Sequence, residues 1–542
     1  MIIRSVTRMI VRSPGPLMLP PRKFHIPPGH DAKRWIRELT DRYTVREGRV
    51  REEKSSFYDT FDWRLFHRSL VLVVSGNKLF LRKLFEPSIL HRVLITSSPV
   101  FIGDIPDSEL KKRLEPIVKV RALGKLADIY SRKTPYRILS REKKPVARLV
   151  HEEVRLSRGK DMPALAAYLW WEPAGESPRS SRTLGKRLEE AGFTAIRKGD
   201  IYFEALKAAD KRPGEYSSKV DIQLRFDMRS DEATKIVLRS LLHVIRINEA
   251  HIGKDRDTEF LHDFRVAIRR TRSALGRMKK VFPSEMTARF RKDLSYVGKI
   301  TNELRDLDVY LLNEEQYKAM LPESIRADID PLFDHLRDKR SKAFQDVVQN
   351  LVSDKYNNIL ERWEAYLKVL HQESAGPEAD IPIKDLARKK IYRKYRRIVK
   401  HGNLIVENTK DEMLHALRIH CKELRYLLEF FASLFPRKEN HGFIRQLKKL
   451  QDMLGTFNDL GVQEQYLAEI AGELAPTGQQ SEKAVAAIGV LIELLGREKQ
   501  KVKDAFSKTF TEYASPANKR AFREVFALKE GASIDSKEGR IL

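Results

Sequence analysis

One stretch of this chain occurs twice, and both copies carry a helical period. LHDFRVAIRRTR begins at Leu261 and LHALRIHCKELR at Leu414, an offset of 153 residues. The same offset pairs Leu275 with Leu428, Phe282-Pro283 with Phe435-Pro436, and Phe290 with Phe443. It then pairs Arg305-Asp306-Leu307-Asp308-Val309 with Asn458-Asp459-Leu460-Gly461-Val462, without a gap. A single helical unit of this size cannot bury its apolar face alone. Two copies are therefore expected to pack as two bundles about a pseudo-twofold axis.

On a helix of 3.6 residues per turn, His262, Arg265, Arg269 and Arg272 share an arc of about 80°. His415, Arg418, Lys422 and Arg425 repeat it. Beside this stripe lies an apolar face: Leu261, Phe264, Ile268, Leu275 and Met278 in the first copy, and Leu414, Leu417, Cys421, Leu428 and Phe431 in the second. Asp257 is placed to cap the first helix, and Thr409-x-x-Glu412 is a capping-box pattern for the second. Like charges at this spacing repel, and no acid interrupts either stripe, although Glu429 follows the second at the same angle. Either acids from other helices, Asp306 and Asp459 for instance, neutralise the stripes in a buried network, or the stripes form a track for an extended polyanion. Arginine forks suit phosphate oxygens, and a histidine among them can donate hydrogen bonds and take up a proton.

The charge balance points the same way. Lys and Arg number 103 against 75 Asp and Glu, a formal net charge of +28 over 542 residues. Such a surplus fits nucleic acid, an anionic membrane face or a phosphate polymer. At 42% hydrophobic residues a wholly disordered chain is excluded. The single cysteine, Cys421, excludes a disulfide framework and a Cys-rich zinc module and fits a reducing, cytoplasmic setting. The best apolar run, Ala484 to Leu495, is too short to span a bilayer and is broken by Gly489 and Glu493.

Residues 1–19 carry Arg4, Arg8 and Arg12 without an acid and are expected as a disordered lead-in. From 20 to 215 short β-type runs recur, at Leu70 to Val74, Lys78 to Leu84, Leu90 to Ile95, Ile117 to Val120, Val146 to Val154 and Ala167 to Trp171. Helical stretches intervene at Ser108 to Leu114 and Ser180 to Ala191, so this domain is expected to be α+β. From 230 to 515 the period is 3.6 throughout, predicting an all-α domain with copies over about 230–370 and 384–515. Its helices are expected at Glu232 to Asn248, Thr258 to Phe282, Glu285 to Leu304, Asp330 to Leu351, Lys355 to Leu370 and Lys384 to Lys400. The second copy adds Glu412 to Phe435, Phe443 to Leu454, Leu460 to Ile470 and Gln480 to Glu512. Residues 516–542 read as a polar tail.

LHDFRVAIRRTRSAL with LRDLDV, followed by LHALRIHCKELRYLLEFF with LGTFNDLGV, resembles the CHAD family of histidine-bearing α-helical domains. The resemblance implies two four-helix bundles related by pseudo-twofold symmetry, with a basic central pore that binds inorganic polyphosphate. It carries over at His262, Arg265, Arg269 and Arg272, and at His415, Arg418, Lys422 and Arg425. Arg305 stands where the family has a further basic residue, whereas the second copy has Asn458. The resemblance also extends the expected cytoplasmic location to polyphosphate granules.

A further basic segment precedes the second copy. Lys389, Arg393, Arg396 and Lys400 follow one helical face, either as a solvated surface or as another wall of the track. Tyr392 and Tyr395 interleave, which leaves RNA stacking open.

SFYDTFDWRLFHRSLVLVV, from Ser56, resembles the CYTH family, whose fold is a closed β tunnel for triphosphate. Tyr58, Asp59 and Thr60 match. The next strand is apolar where the family has arginines, and the paired glutamates of the family's opening motif are absent, with Leu19 and Pro21 in their places before Lys23 and Phe24. Of a later acidic pair only Glu172 remains. Glu152 and Glu153 are adjacent and would point to opposite faces of a strand. Hydrolysing a triphosphate needs carboxylates on a divalent metal. The domain is therefore expected to keep the fold without its active site, with no metal and no cofactor. Phosphate-binding loops, nucleophile elbows and zinc-protease motifs are missing. The reading is a non-enzymatic protein binding inorganic polyphosphate. The alternatives are a triphosphatase or polyphosphatase in the N-terminal domain, and an RNA-binding protein.

Overall fold

The computed structural model describes residues 22–527, apart from 28, 86–88, 157–163, 175–177, 197–200, 370–374, 406–409 and 475–478. The lead-in, Thr409 of the capping box and the end of the chain lie outside the described residues. The chain divides into two compact units, 1–217 and 218–542.

The first unit is an antiparallel sheet with helices on its faces. Its strands are β1 (Arg22–His25), β2 (Thr44–Glu47), β3 (Arg51–Thr60), β4 (Leu70–Ser75) and β5 (Lys78–Lys83). They continue with β6 (Ile89–Leu94), β7 (Leu123–Leu139), β8 (Pro145–Arg155), β9 (Ala166–Pro173) and β10 (Thr194–Ala195). The order is β10-β1-β9-β8-β7-β3-β4-β5-β6, with β2 paired to β7. Helices α1 (Ala32–Glu38), α2 (Glu109–Val118), α3 (Pro178–Glu190) and α4 (Ile201–Ala208) accompany the sheet. Trp171, Leu184 and Leu188 are fully buried between β9 and α3. Ile117 to Val120, expected as a strand, is instead the end of α2 and its exit. Leu110, Leu114 and Val118 are buried at helical spacing, and that face decides the conformation.

The second unit is all helix. The first copy comprises α5 (Ser230–Ile252), α6 (Glu259–Arg277), α7 (Ser284–Lys299), α8 (Asn302–Leu312), α9 (Glu314–Met320), α10 (Asp330–Leu351) and α11 (Asp354–Lys368). The second comprises α12 (Ile383–Gly402), α13 (Asp411–Phe430), α14 (Arg437–Leu474), α15 (Gln479–Asp504), α16 (Phe506–Tyr513) and α17 (Pro516–Phe526). In the first copy α5, α6, α7 and α11 pack in a ring. In the second, α12, α13 and α14 are ringed by α16 and α17. Equivalent helices meet across the copies, α5 with α12, α6 with α13 and α10 with α15. Contact between like elements is the mark of a twofold relation.

Three expectations are corrected here. Residues 516–526 are not tail but helix, because Phe522 and Phe526 are fully buried. Phe522 lies flat on Tyr395, with ring centroids 3.8 Å apart, and against Phe443. The separate helices expected at Phe443 to Leu454 and Leu460 to Ile470 are one continuous helix, α14, whereas Glu285 to Leu304 is split at Ile300 and Thr301 into α7 and α8.

Candidate functional site: two basic stripes that meet

Every apolar position read on the repeated helices is buried, Leu261, Phe264, Ile268, Leu275 and Met278 on the α6 side and Leu414, Leu417, Cys421, Leu428 and Phe431 on the α13 side. Burial also pushes the Cys421 thiol pKa up, so the group stays protonated. With those faces inward, the stripes are fixed beside the core. Asp257 accepts from the backbone N–H of Glu259 at 3.0 Å at the start of α6.

α6 and α13 pack directly on one another. Arg270 pairs with Glu429 at 2.9 Å and Arg277 with Glu423 at 3.2 Å. The partners run in opposite senses along the two helices, so these are antiparallel. The Arg270 and Glu429 side chains are 11% and 17% exposed, which makes this a well-shielded tie between the copies. Arg269 and Lys422, equivalent under the 153-residue offset, come together. Lys422 is pushed down to about 8, first by burial and then by the charges of Arg418 and Arg269.

The two stripes are not equally free. In the second, Arg418 pairs with Asp459 at 3.1 Å, and Arg425 pairs with Glu429 at 2.7 Å and donates to Gln451 at 3.4 Å. The offset places Gly276 where Glu429 stands and Gly298 where Gln451 stands. Arg272 therefore lacks both partners. Its pKa is lowered by burial and by Arg291. Among the described residues no ion pair is formed by Arg269 or Arg272.

Arg265 has a different role. Its Nη1 donates to the Gly298 carbonyl at 3.1 Å, Thr301 Oγ1 at 2.9 Å and Asn302 Oδ1 at 2.8 Å. These are the groups left free where α7 ends and α8 begins. In the continuous α14 no such break exists, and the equivalent Arg418 turns to a carboxylate instead. Burial, Arg269 and Arg305 push the Arg265 pKa down to about 10.

The departure at Arg305 separates the histidines. His262 is pushed down to about 4 by burial, then by Arg305, with Arg269 and Arg265 adding to it. In the second copy Nδ1 of His415 donates to Oδ1 of Asn458 at 2.6 Å, and His415 is exposed. Asp306, a candidate partner for the stripes, forms no ion pair with them among the described residues, whereas Asp459 does. Asp308 is held by Arg340 at 2.8 Å and belongs to the scaffold. Three buried N–H groups at the site, Nε of Arg265 and Arg418 and Nη1 of Arg305, have no hydrogen-bond acceptor among the described residues.

The α12 cations do not join this cluster. Lys390 and Lys394 turn inward, Lys390 to Glu378 at 2.6 Å and Lys394 to Glu423. Lys389, Arg393, Arg396 and Lys400 are exposed, and no contact links them to the stripes among the described residues. Tyr395 is buried under Phe522, so it cannot stack on a base. One cation escaped sequence reasoning. Arg291 on α7 faces Arg272, but it aligns with Ile444, and the repeat therefore gave no signal for it.

In the first unit, Asp59 of the Tyr58-Asp59-Thr60 segment is a structural brace. Its buried carboxylate accepts from the N–H groups of Thr60, Leu65 and Phe66 at 2.7, 2.9 and 2.9 Å. Burial nevertheless pushes its pKa up to about 6. One face of the sheet lines a cavity of about 870 Å³. Glu53 there pairs with Lys133 at 2.9 Å, and Glu172 with Arg148 at 3.2 Å. Glu152 accepts from Trp170 Nε1 at 2.6 Å and lies 3.8 Å from Lys133 and 3.9 Å from Lys23. Glu153 is engaged elsewhere, by Arg155 at 3.3 Å and Lys33 at 3.5 Å. Burial disfavours the charge on Lys133, but Glu152 and Glu53 outweigh it and hold its pKa above the usual lysine value. Glu53, Glu152, Glu153 and Glu172 each have an ammonium or guanidinium partner, whereas Glu47, which also lines the cavity, forms no ion pair among the described residues. Glu53, which sequence reasoning missed, sits in a charged run whose alternation is hidden.

The fold and site define a two-copy helical domain with converging basic stripes, which follows an antiparallel-sheet domain in the sequence. The CHAD domain family model matches residues 236–468, and that part of the helical unit is a CHAD domain. Two uncharacterised proteins from two strains of Mycobacterium tuberculosis are each 22% identical over 213 residues, 39% of this chain. The match spans 40% of the length of these curated relatives. The structure is similar to that of the CHAD domain from the plant Ricinus communis, at 24% identity and a TM-score of 0.46, covering 54% of this chain and 95% of that one. A putative adenylyl cyclase from Hippeastrum, described as having a dominant triphosphatase activity, is 15% identical with a TM-score of 0.26, over 36% of this chain and 99% of that one. Among the described residues no helix is long and apolar enough to cross a membrane.

Proposed function

We propose that the helical unit binds inorganic polyphosphate, without catalysis, along a track where the two stripes meet. The observation that carries this reading is Lys422, a half-buried cation whose charge is disfavoured by burial and by the nearby charges of Arg418 and of Arg269, its equivalent in the first copy. Arg272, Arg291 and Arg305 extend the same field, and the three unpartnered guanidinium N–H groups are donors suited to phosphate oxygens. A cation cluster of this kind raises the energy of the empty protein and lowers that of the complex. Few aromatic side chains border the stripes, which favours a ligand without bases over RNA.

The test is competition between long-chain polyphosphate and single-stranded RNA for the full chain. Polyphosphate is expected to displace RNA, and the Arg269→Ala/Arg272→Ala/Lys422→Ala variant to bind it about a hundredfold more weakly. That estimate discounts charge-assisted contacts of about 1.5–3 kcal/mol each for non-additivity. Arg265 is left intact because its removal would strip the α7–α8 junction of its donor. Unchanged affinity in a variant of unchanged helicity would remove the track from this face. For the sheet unit, no phosphate release from tripolyphosphate is expected above a blank with Mg²⁺ or Mn²⁺. Turnover abolished by Glu53→Gln/Glu152→Gln would make that unit an enzyme.

A further inference from the structure

The described structure holds a second basic groove, of about 690 Å³, between α12 and α17. Five cations line it: Arg396 and Lys400 from α12, and Lys519, Arg520 and Arg523 from α17. All five are exposed, and none forms an ion pair among the described residues. Among the described residues no acid lines the groove. α12 thus sorts its charges. Lys390 and Lys394 face inward and are neutralised by Glu378 and Glu423, while Arg396 and Lys400 face outward onto three further cations.

The assembly is built by packing, not by sequence neighbours. Phe522, one residue before Arg523, is stacked on Tyr395, four residues from Val399 in the groove wall, and this contact brings α17 to α12. Gathering five like charges without a counter-ion gains the fold nothing and costs repulsion. A volume of this size suits a small ligand. One wall also lies outside the matched family region, which ends at residue 468.

We infer that this groove is a second anion site, separate from the stripes, that takes an oligophosphate group. The group comes either from a short inorganic chain or from a nucleoside triphosphate. Both present several linked phosphates to forks and ammonium groups on two walls. Tyr392, half-buried at the groove, offers a ring face to a base in the second case.

The experiment uses the full chain carrying Arg269→Ala/Arg272→Ala/Lys422→Ala, so that binding at the stripes is suppressed. Tripolyphosphate, ATP and orthophosphate are titrated by calorimetry without divalent metal. Tripolyphosphate is expected to bind this background protein, and at least tenfold more tightly than orthophosphate. Adding Lys519→Ala/Arg520→Ala/Arg523→Ala is expected to weaken it at least tenfold, and adding Arg396→Ala/Lys400→Ala likewise. The replaced side chains are exposed, so unchanged helicity and melting temperature are the control. If adding Tyr392→Ala weakens ATP but not tripolyphosphate, the source is a nucleotide. If it weakens neither, the source is inorganic. No tripolyphosphate binding to the background protein, orthophosphate as tight as tripolyphosphate, or indifference to either wall's substitutions would overturn the site. Loss of long-chain binding at the stripes leaves this test unaffected, so the two readings fail separately.

Discussion

His262 illustrates how one residue's surroundings set its chemistry. It shares its repeat position with His415, yet Arg305 stands beside one and Asn458 beside the other. Its folded pKa of about 4 lies below the usual histidine value of 6.5. The unfolded chain therefore binds the proton more readily. The stability gained by keeping this ring neutral is fully present above pH 6.5 and is lost as pH falls from there through 4. We expect the helical unit to lose on the order of 2 kcal/mol over that window from this residue, after discounting for its partial exposure. His262→Gln is expected to flatten that part of the curve, as read by denaturant titrations at pH 7 and 4.5. An equal slope in both proteins would remove His262 as the cause. The stripe residues were legible because their types recur at a fixed offset. Their partners were not. Glycine stands opposite Glu429 and Gln451 in the aligned sequence, but only geometry reveals that those positions face the stripe.

Elements were legible where one buried face decides them. Asp330 to Leu351 matches α10 end to end, and β4 and β5 follow their apolar runs within a residue or two. β3 and β7 were missed because charged and polar residues interrupt their apolar alternation, as in the consecutive Arg51-Glu52-Glu53-Lys54. The α7–α8 break depends on Arg265 reaching across from α6, a contact that no local pattern encodes. The opposite error split α14, since residues 455–459 were left between two expected helices but are carried inside one helix packed against α13 and α15. Helix ends also hold information that the period lacks. Gly402 closes α12 against the Phe510 ring, and a Cβ there would lie 2.0 Å from it. Gly402→Val is expected to force Phe510 out of its site and to cost about 1–3 kcal/mol. Thermal melts of the full chain check this. A melting temperature that does not fall would place α16 elsewhere on α12.

At the scale of the molecule, the twofold relation turns two modest stripes into one field. Equivalent helices meet at α5–α12, α6–α13 and α10–α15, and the axis brings Arg269 to Lys422. The halves nonetheless differ. Among the described residues the first leaves Arg269 and Arg272 without ion pairs, and the second ties Arg418 and Arg425 to acids. A polyanion on this track would therefore draw more free charge from the first copy while still touching the second. Salt dependence measures that division. Each phosphate contact releases counter-ions, and for a single-stranded polyanion the slope of log affinity against log salt is about −0.7 per contact. Contacts with Arg269, Arg272, Arg305 and Lys422 would give a slope of about −3. Arg269→Ala/Arg272→Ala is expected to make it shallower by more than one unit, and Lys422→Ala by about 0.7. Both shifts are required, because an extended chain held by one copy alone would ignore the other. If Lys422→Ala leaves the slope of the wild-type protein intact, the second stripe is scaffold and the site belongs to the first copy only.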